Sequence, residues 1–206
     1  MGIRQLQPRS QNNSARLGLF IRLWDLPLDE MQMVRIAEEA PMSQRRSEFG
    51  NLNNDGNPFP SQSCLASRFH PNFLDVVEPG VKDLLVAIAF EHNLVTYTSC
   101  EGHDYRPVGH MPDERHVGIV PRSSQEMDLV VNLFNSLGCM LNAQLSCEPV
   151  EIAMMVHSVR EDHVVYPAVD LYLSKRSSAD WDDYFYRVDA ATECLIKALK
   201  EAPSIG

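Results

Sequence analysis

The pattern of apolar residues from Leu94 onward constrains the fold more than any other feature of the chain. It reads as strand, strand and amphipathic helix, twice in succession. The first unit contains "LVTYTS", "RHVGIVP" and "SSQEMDLVVNLFNSLG", and the second contains "VEIAMMVHSV", "VVYPAVDLYLS" and "ADWDDYFYRVDAATECLIKALKE". The strand connections are short enough for hairpins, which disfavours an all-parallel sheet. The pattern predicts an α+β fold with an antiparallel or mixed sheet and helices on one face, and it is consistent with two ββα units.

The two junctions that lead into the helices also resemble each other. Both "IVPRSSQEMDLV" and "YLSKRSSADWDDYF" run from a strand through Arg-Ser-Ser into an acidic first turn. In the first junction, Ser123 and Glu126 have the spacing of a capping box, and Gly138 marks the predicted end of that helix. Pro167 places its strand at a sheet edge or a bulge, because proline lacks the N–H of a ladder hydrogen bond.

The N-terminal part of the chain is predicted to pack on the main domain. The segment "RLGLFIRLWDLP" alternates apolar and basic side chains, which indicates a strand, and Pro27 opens a predicted helix. Residues 43–60 are rich in Asn, Gly and Pro and predict a long loop. We therefore divide the chain into residues 1–60 and an α+β domain over residues 61–206. In that domain Pro79 starts a helix with an apolar stripe of Val81, Leu84, Leu85 and Ile88.

Composition and charge narrow the class of protein. A chain of 206 residues with 44% hydrophobic residues can bury one core, and a net charge of −10 disfavours extended nucleic-acid binding. No apolar run approaches the roughly 20 residues that span a bilayer, and the N-terminus lacks the apolar centre of a secretory signal. The five cysteines are odd in number and widely spaced, which suits reduced thiols. We expect a soluble, cytoplasmic protein.

Functional side chains are densest in "SCEGHDYRPVGH", between Ser99 and His110. A two-residue gap between Cys100 and His103 lets both side chains reach one ion from a turn, and thiolate and imidazole are typical zinc ligands. In this metal interpretation His110 or His116 completes the ligand set, and zinc or another divalent metal is the cofactor. Zinc motifs normally show two ligand pairs, whereas this stretch shows one.

A second interpretation makes the same stretch a Cys/His catalytic pair. Cys100 would be the nucleophile at a strand end, and His103 would lower its pKa or take its proton. Glu101 or Asp104 would orient the imidazole. No protease signature surrounds these residues.

A third interpretation is a ligand pocket, and a fourth assigns the stretch no chemistry. In the pocket, Gly102 brings the backbone close to a bound group, and polar contacts come from Ser99, Cys100 and His103. Arg122 and Arg176, each beside two serines at a helix start, would contact an anion. In the fourth interpretation Cys100 is a small buried hydrophobe and His103 is a surface side chain.

The stretch "YTSCEGH" resembles two groups of proteins. One is a set of uncharacterised bacterial and phage proteins with a Ser-Cys-x-Gly-His loop, and the other is the wybutosine-synthesis tRNA methyltransferase family, whose comparable loop reads Ser-Ser-Cys-Ser-Gly-Arg. The resemblance spans Val81 to Gly138, and His103 stands where that family has Arg. It implies S-adenosylmethionine and a tRNA guanosine derivative as ligands, with a pocket loop formed by Ser99, Cys100, Gly102 and His103.

Taken together, the residues favour an enzyme whose Cys-Glu-Gly-His site at a strand end binds a metal or acts as a Cys/His pair. The alternative is a non-catalytic binding module or an accessory subunit of a larger complex, with residues 43–60 as the partner surface. A methyltransferase that modifies RNA is the minor alternative. The expected partner is a small-molecule ligand or another protein.

Overall fold

The computed structural model describes residues 3–7, 12–13, 17–25, 67–69, 73–75, 77–146 and 148–205. The helices are α1 (Leu17–Leu23), α2 (Pro79–Val86), α3 (Ser124–Gln144) and α4 (Trp181–Glu201), and α2 continues as a π-helical turn over Ala87–Glu91. The strands are β1 (Arg4–Gln5), β2 (Asn12–Asn13), β3 (Thr96–Cys100), β4 (Arg115–Ile119), β5 (Val150–Glu161) and β6 (Val164–Lys175). Short 3-10 turns lie at Phe73–Asp75 and Arg106–Val108.

All six strands form one mixed sheet, which confirms the predicted α+β class. The order is β1-β5-β6-β4-β3, and β2 also pairs with β5. The pairs β3–β4, β4–β6 and β5–β6 are antiparallel, whereas β1 and β2 run parallel to β5. Two strand-strand-helix units follow each other along the chain as β3-β4-α3 and β5-β6-α4, in the predicted order. Their second strands, β4 and β6, pair with each other at the centre of the sheet.

The main hydrophobic core lies between one face of the sheet and the three longer helices. The strands contribute alternate residues, as a half-buried sheet requires; the buried ones include Val117, Ile119, Ile152, Met154, Leu171 and Leu173. The predicted stripe of α2 is confirmed, since Val81, Leu84, Leu85 and Ile88 are all buried in this core. In α4 the fully buried Tyr184 lies in the same core as Val188, Leu195 and Leu199.

The strand predicted at "RLGLFIRLWDLP" is wrong, because Leu17–Leu23 is helical. The apolar residues of this segment also recur at the three- and four-residue spacing of a helix. Trp24 is fully buried, with its ring 5.2 Å from that of Phe20 and 5.4 Å from that of Phe73. Leu17 joins a smaller cluster on the other face of the sheet. The segment is therefore a helix that buries Leu17 and Trp24, although its side chains also alternate as in a strand.

The helix stop predicted at Gly138 is also wrong, because α3 continues to Gln144. Gly138 lies against the N-terminal segment, where an added Cβ would be 2.6 Å from Cδ1 of Ile3. The extra turns carry Asn142, whose buried amide accepts from the N–H of Ile152 at 2.7 Å and donates to its carbonyl at 2.8 Å. The glycine thus allows close packing inside the helix.

The two Arg-Ser-Ser junctions differ in structure. Ser123 caps α3 as predicted, since its side chain accepts from the N–H of Glu126 at 3.1 Å. In the second junction Asp180 is the N-cap and accepts from the N–H of Asp183 at 2.8 Å. The segment between β6 and α4 is therefore longer than the segment between β4 and α3.

Pro167 lies on β6 opposite Ser158 of β5. On the other side of β6, the pairing with β4 ends at Val169. The predicted edge strand is wrong, because β6 lies between β5 and β4, but Pro167 falls beyond the last β4–β6 pair, in a part of β6 that pairs only with β5 among the described strands.

Several predictions concern residues outside the described ranges. These are the helix from Pro27 and the loop over 43–60, so the division at residue 60 stays a prediction. Within the described ranges, no helix is both long enough and apolar enough to cross a membrane.

Candidate metal centre

The dense motif occupies the end of β3 and the start of the loop that leads to β4. Gly102 has φ of 85°, and a Cβ there would lie 3.1 Å from the backbone N of Arg115. His103 and Asp113 exchange two backbone hydrogen bonds of 3.0 and 2.9 Å and form an antiparallel bridge. Glycine is needed here because the turn requires a left-handed conformation and a close approach of two chain segments.

Three side chains from different elements meet at this point: Glu78, Cys100 and His103. One ligand atom from each lies within 4.8 Å of the other two. Their exposed fractions are 3%, 6% and 7%, so the group is buried. Nε2 of His103 lies 2.9 Å from Oε1 of Glu78, and Oε2 of Glu78 accepts from the N–H of Glu101 at 2.7 Å. The structure thus brings a carboxylate, a thiol and an imidazole together.

Glu78 enters the group from the N-cap position of α2, where its side chain makes no capping hydrogen bond. The carboxylate of Glu101 accepts from the N–H of Gly80 at 2.7 Å and so satisfies an N–H of the first turn of α2. The carboxylate of Glu101 thus contacts the start of the helix, and the carboxylate of Glu78, at the helix N-cap, contacts the loop. The carboxylate of Glu78 makes this contact with the motif loop through the backbone N–H of Glu101.

The surroundings of Cys100 oppose its ionised form. Burial raises the pKa of the Cys100 thiol to about 12, and the negative charge of Glu78 is the next cause. Asp113 and Glu101 act in the same direction, whereas a hydrogen bond from the N–H of Gly102, at 3.4 Å, favours the thiolate. The side chain is a thiol at neutral pH, and a thiolate there requires a nearby cation such as a divalent metal ion.

The ring of His103 is held from two sides. Its Nε2 faces Glu78, and its plane stacks on the buried ring of Tyr105 at a centroid distance of 5.2 Å and an angle of 28°. A carboxylate can only accept, so Nε2 carries the proton in this hydrogen bond. The interpretation in which His103 is a surface side chain is wrong, because only 7% of it is exposed.

Arg115 anchors the loop to α4 behind the group. It is 5% exposed and donates to the carbonyl of Glu101, to Oγ1 of Thr192 and to Oδ1 of Asp189, at 2.7 to 2.8 Å. The hydroxyl of Tyr184 accepts from the N–H of Arg115 at 2.8 Å. These bonds fix the position from which the motif loop approaches Glu78.

Of the four predicted metal ligands, Cys100 and His103 belong to the group and two histidines do not. His110 is exposed. His116 pairs with Cys100 across the two strands, but its ring stacks on that of Tyr172 at 5.0 Å. Glu78 occupies the place that the sequence analysis gave to a second histidine.

The supporting acids predicted for a catalytic pair have other partners. Glu101 caps α2, and Asp104 makes two 2.7 Å hydrogen bonds with the guanidinium of Arg106, which lowers the pKa of Asp104. The imidazole of His103 is oriented by Glu78.

The residues of the predicted anion pocket are dispersed. Ser99 lies in β3 opposite Val117. Arg122 donates to Glu126 at 2.8 Å and to Asp25 at 2.5 Å. Arg176 donates to the carbonyl of Glu148 at 2.9 Å and contacts the carboxylate of Glu151. Both guanidinium groups thus have acceptors within the chain.

Glu78 is the residue that the sequence analysis missed. It precedes Pro79, the predicted first residue of a helix, and an acidic residue at that position is ordinarily read as a favourable interaction with the helix N-terminus. The sequence distance of 22 residues to Cys100 hides its role. Comparisons of the chain with protein-family models, with curated proteins and with solved structures found no match.

Proposed function

We propose that the protein binds a divalent transition-metal ion, with zinc as the first candidate, through Glu78, Cys100 and His103. We further propose that this centre is of the three-ligand type that zinc enzymes use to activate water. The observation that carries the proposal is the buried group of three ligand atoms within 4.8 Å of one another.

The chemistry of the donors favours zinc over the hard cations. Thiolate and imidazole are its usual ligands, and a carboxylate often completes the set, whereas calcium and magnesium prefer oxygen donors alone. Two anionic donors, Glu78 and the thiolate of Cys100, would neutralise the charge of a divalent ion in this buried position. The positive charge of the ion would also stabilise the thiolate of Cys100, which burial and the nearby carboxylates otherwise disfavour.

The spacing of the donors suits an ion with little rearrangement. Two ligand atoms that are each about 2 Å from a tetrahedral ion lie about 3.3 Å apart. Nε2 of His103 and Oε1 of Glu78 are already 2.9 Å apart, joined by a hydrogen bond whose proton is on Nε2. An ion that replaces this proton would need the two atoms to separate by only a few tenths of an ångström, while Tyr105 keeps the ring in its plane.

Three protein ligands leave one position of a tetrahedral ion for water or substrate. Zinc in such a site is a Lewis acid and lowers the pKa of bound water to about 7, which is the basis of metal-assisted hydrolysis. The residues of this chain would hold the ion and set its charge: Glu78 and Cys100 as anionic ligands, His103 as the neutral one. Hydrolysis is therefore the reaction class to assay first.

The direct test is the metal content of the purified protein by mass spectrometry, compared among wild type, Cys100→Ser and His103→Gln. We expect one zinc per chain in wild type and a loss of at least tenfold in occupancy in both variants. Cys194→Ser is the matched control, because that thiol is exposed and lies outside the group. Cobalt substituted for zinc should give a thiolate-to-cobalt absorption that Cys100→Ser abolishes. Stoichiometric zinc retained by Cys100→Ser contradicts the proposal.

The Cys/His catalytic pair receives less support than the metal centre. Its nucleophile would be a thiolate, and burial, followed by the charges of Glu78, Asp113 and Glu101, raises the pKa of Cys100. The resemblance to the methyltransferase family and the accessory-subunit alternative stay predictions from the sequence.

A further inference from the structure

A second polar cluster lies on the sheet away from the proposed metal ligands and has no part in the proposed function. It consists of Tyr97 from β3, His157 from β5 and Asp170 from β6. The hydroxyl of Tyr97 donates to Oδ1 of Asp170 at 2.8 Å and lies 3.2 Å from Nε2 of His157, and that Nε2 lies 3.1 Å from Oδ2 of the same carboxylate. The side chains of His157 and Asp170 are each 3% exposed. A buried carboxylate thus joins three strands.

Two irregularities of the backbone make room for this cluster. The register between β3 and β4 shifts between Thr96 and Thr98, as in a β-bulge, which redirects Tyr97. Gly118 of β4 lies beneath the contact, and a Cβ there would be 2.6 Å from both Oδ1 of Asp170 and a ring carbon of Tyr97. The register shift and the absence of a side chain at Gly118 together allow Tyr97 to approach Asp170.

Of the residues that the structure describes, Asp170 is the charged side chain that acts on His157, and the backbone of Ser158 also favours a protonated ring. On the same face β4 contributes Gly118, and neighbouring positions of β5 and β6 are apolar: Met155, Val159 and Ala168. Burial opposes the charged imidazole, but Asp170 outweighs it, so the pKa of His157 is raised above its usual value.

We propose that Tyr97, His157 and Asp170 form a proton-operated clamp that ties β3, the last strand in the sheet order, to the β5–β6 hairpin. With the proton bound, His157 neutralises the carboxylate that Tyr97 contacts. When the proton leaves, the buried carboxylate of Asp170 loses its countercharge, and an open form that admits water beside β3 becomes more favourable.

The direction of the pH dependence follows from the raised pKa of His157. Protonation then favours the closed cluster, so its stabilisation is complete below the ordinary histidine pKa of about 6.5 and is lost as pH rises through the higher, folded-state value. Each unit by which the pKa is raised corresponds to about tenfold in the equilibrium between closed and open forms.

The test combines a nuclear magnetic resonance titration of the histidine rings with amide hydrogen exchange in the full chain. We expect the His157 ring to titrate above the ordinary value, and the protection of β3 amides to fall with rising pH relative to β5 and β6, after correction for the intrinsic exchange rate. Tyr97→Phe is the decisive variant because it removes the hydroxyl that contacts both Asp170 and His157, while the 3.1 Å pair of His157 and Asp170 stays in place. It should remove the pH dependence in β3 while His157 still titrates high.

His163→Gln is the matched control, since His163 is an exposed histidine in the turn of the same hairpin. It should change neither measurement. A His157 ring that titrates at or below the ordinary value overturns the clamp, and so does an unchanged pH dependence of β3 protection in Tyr97→Phe. Both results are independent of whether the chain binds zinc.

Discussion

Replacement of Glu78 by Gln separates a metal centre from a purely structural hydrogen-bond network. In the metal-free protein, the carboxylate of Glu78 accepts from Nε2 of His103 and from the N–H of Glu101. A Gln oxygen can keep the bond to the N–H of Glu101, but its amide can pair with His103 only if the imidazole changes tautomer, and neither bond is then made to a charged carboxylate. The loss of one buried, charge-assisted hydrogen bond should cost about 2 kcal/mol of unfolding free energy, whichever role the group has.

The change in stability on addition of zinc distinguishes a metal ligand from a residue that only makes structural hydrogen bonds. Free zinc at 100 times its dissociation constant stabilises a folded protein by about 2.7 kcal/mol, which for a chain of this length raises the melting temperature by about 5 to 11 °C. Loss of a charged ligand should lower affinity at least as much as loss of an outer partner, for which up to about 100-fold is typical. At the same zinc concentration, a hundredfold loss leaves only about 0.4 kcal/mol of stabilisation.

The assay is thermal unfolding of chelator-treated protein with and without zinc, for wild type, Glu78→Gln and Glu101→Gln. Glu101→Gln is the matched control because this neighbouring carboxylate caps α2 and lies outside the metal group. It should lower stability without zinc but keep the full zinc shift. An equal zinc shift in wild type and Glu78→Gln, or no shift in wild type, would refute the assignment of Glu78 as a ligand.

Three further predictions concern the same loop and the helix packing. Zinc affinity should rise by about tenfold per pH unit through Cys100 alone, because the ion displaces a proton from a thiol with a pKa of about 12; competition titrations at two pH values near 7 measure this. Gly102→Ala should lower the free energy of unfolding in urea by about 1 to 3 kcal/mol. Gly109→Ala is the matched control: both glycines have positive φ, but nothing lies within 4 Å of a Cβ at Gly109, so the loss there should be smaller. Gly138→Ala should destabilise by about 1 to 3 kcal/mol through overpacking, and Ile3→Ala in the same chain should recover part of this loss in a double-mutant cycle.

The position of the candidate site was predictable, but its composition was only partly so. Thr96 to Cys100 form β3, and the dense group of functional side chains begins at the end of this strand. Functional residues commonly lie on loops that a sheet holds in place. Cys100 and His103 do lie together. Their third partner, Glu78, comes from a helix start that the sequence signals only through Pro79, and no local spacing indicates that this helix faces the loop.

The histidines show why proximity in sequence was a poor guide. His116 is the register partner of Cys100, yet its ring stacks on Tyr172 of β6, whereas His103 points inward to Glu78. The direction of the His103 ring depends on the bridge between His103 and Asp113 and on the turn at Gly102, whereas that of His116 depends on its place in β4. Residue spacing limits which side chains can meet, and backbone geometry decides which of them do.

The sequence by itself determined the two strand-strand-helix units, the α+β class and the cap at Ser123, because strand alternation, helical periodicity and capping depend on residues only two to four positions apart. Tertiary structure decided the rest. It made Leu17–Leu23 a helix, extended α3 beyond Gly138 against Ile3, and brought Glu78 to Cys100 and His103. These outcomes depend on which faces of distant segments become buried together, and that free energy is distributed over contacts that no local pattern records.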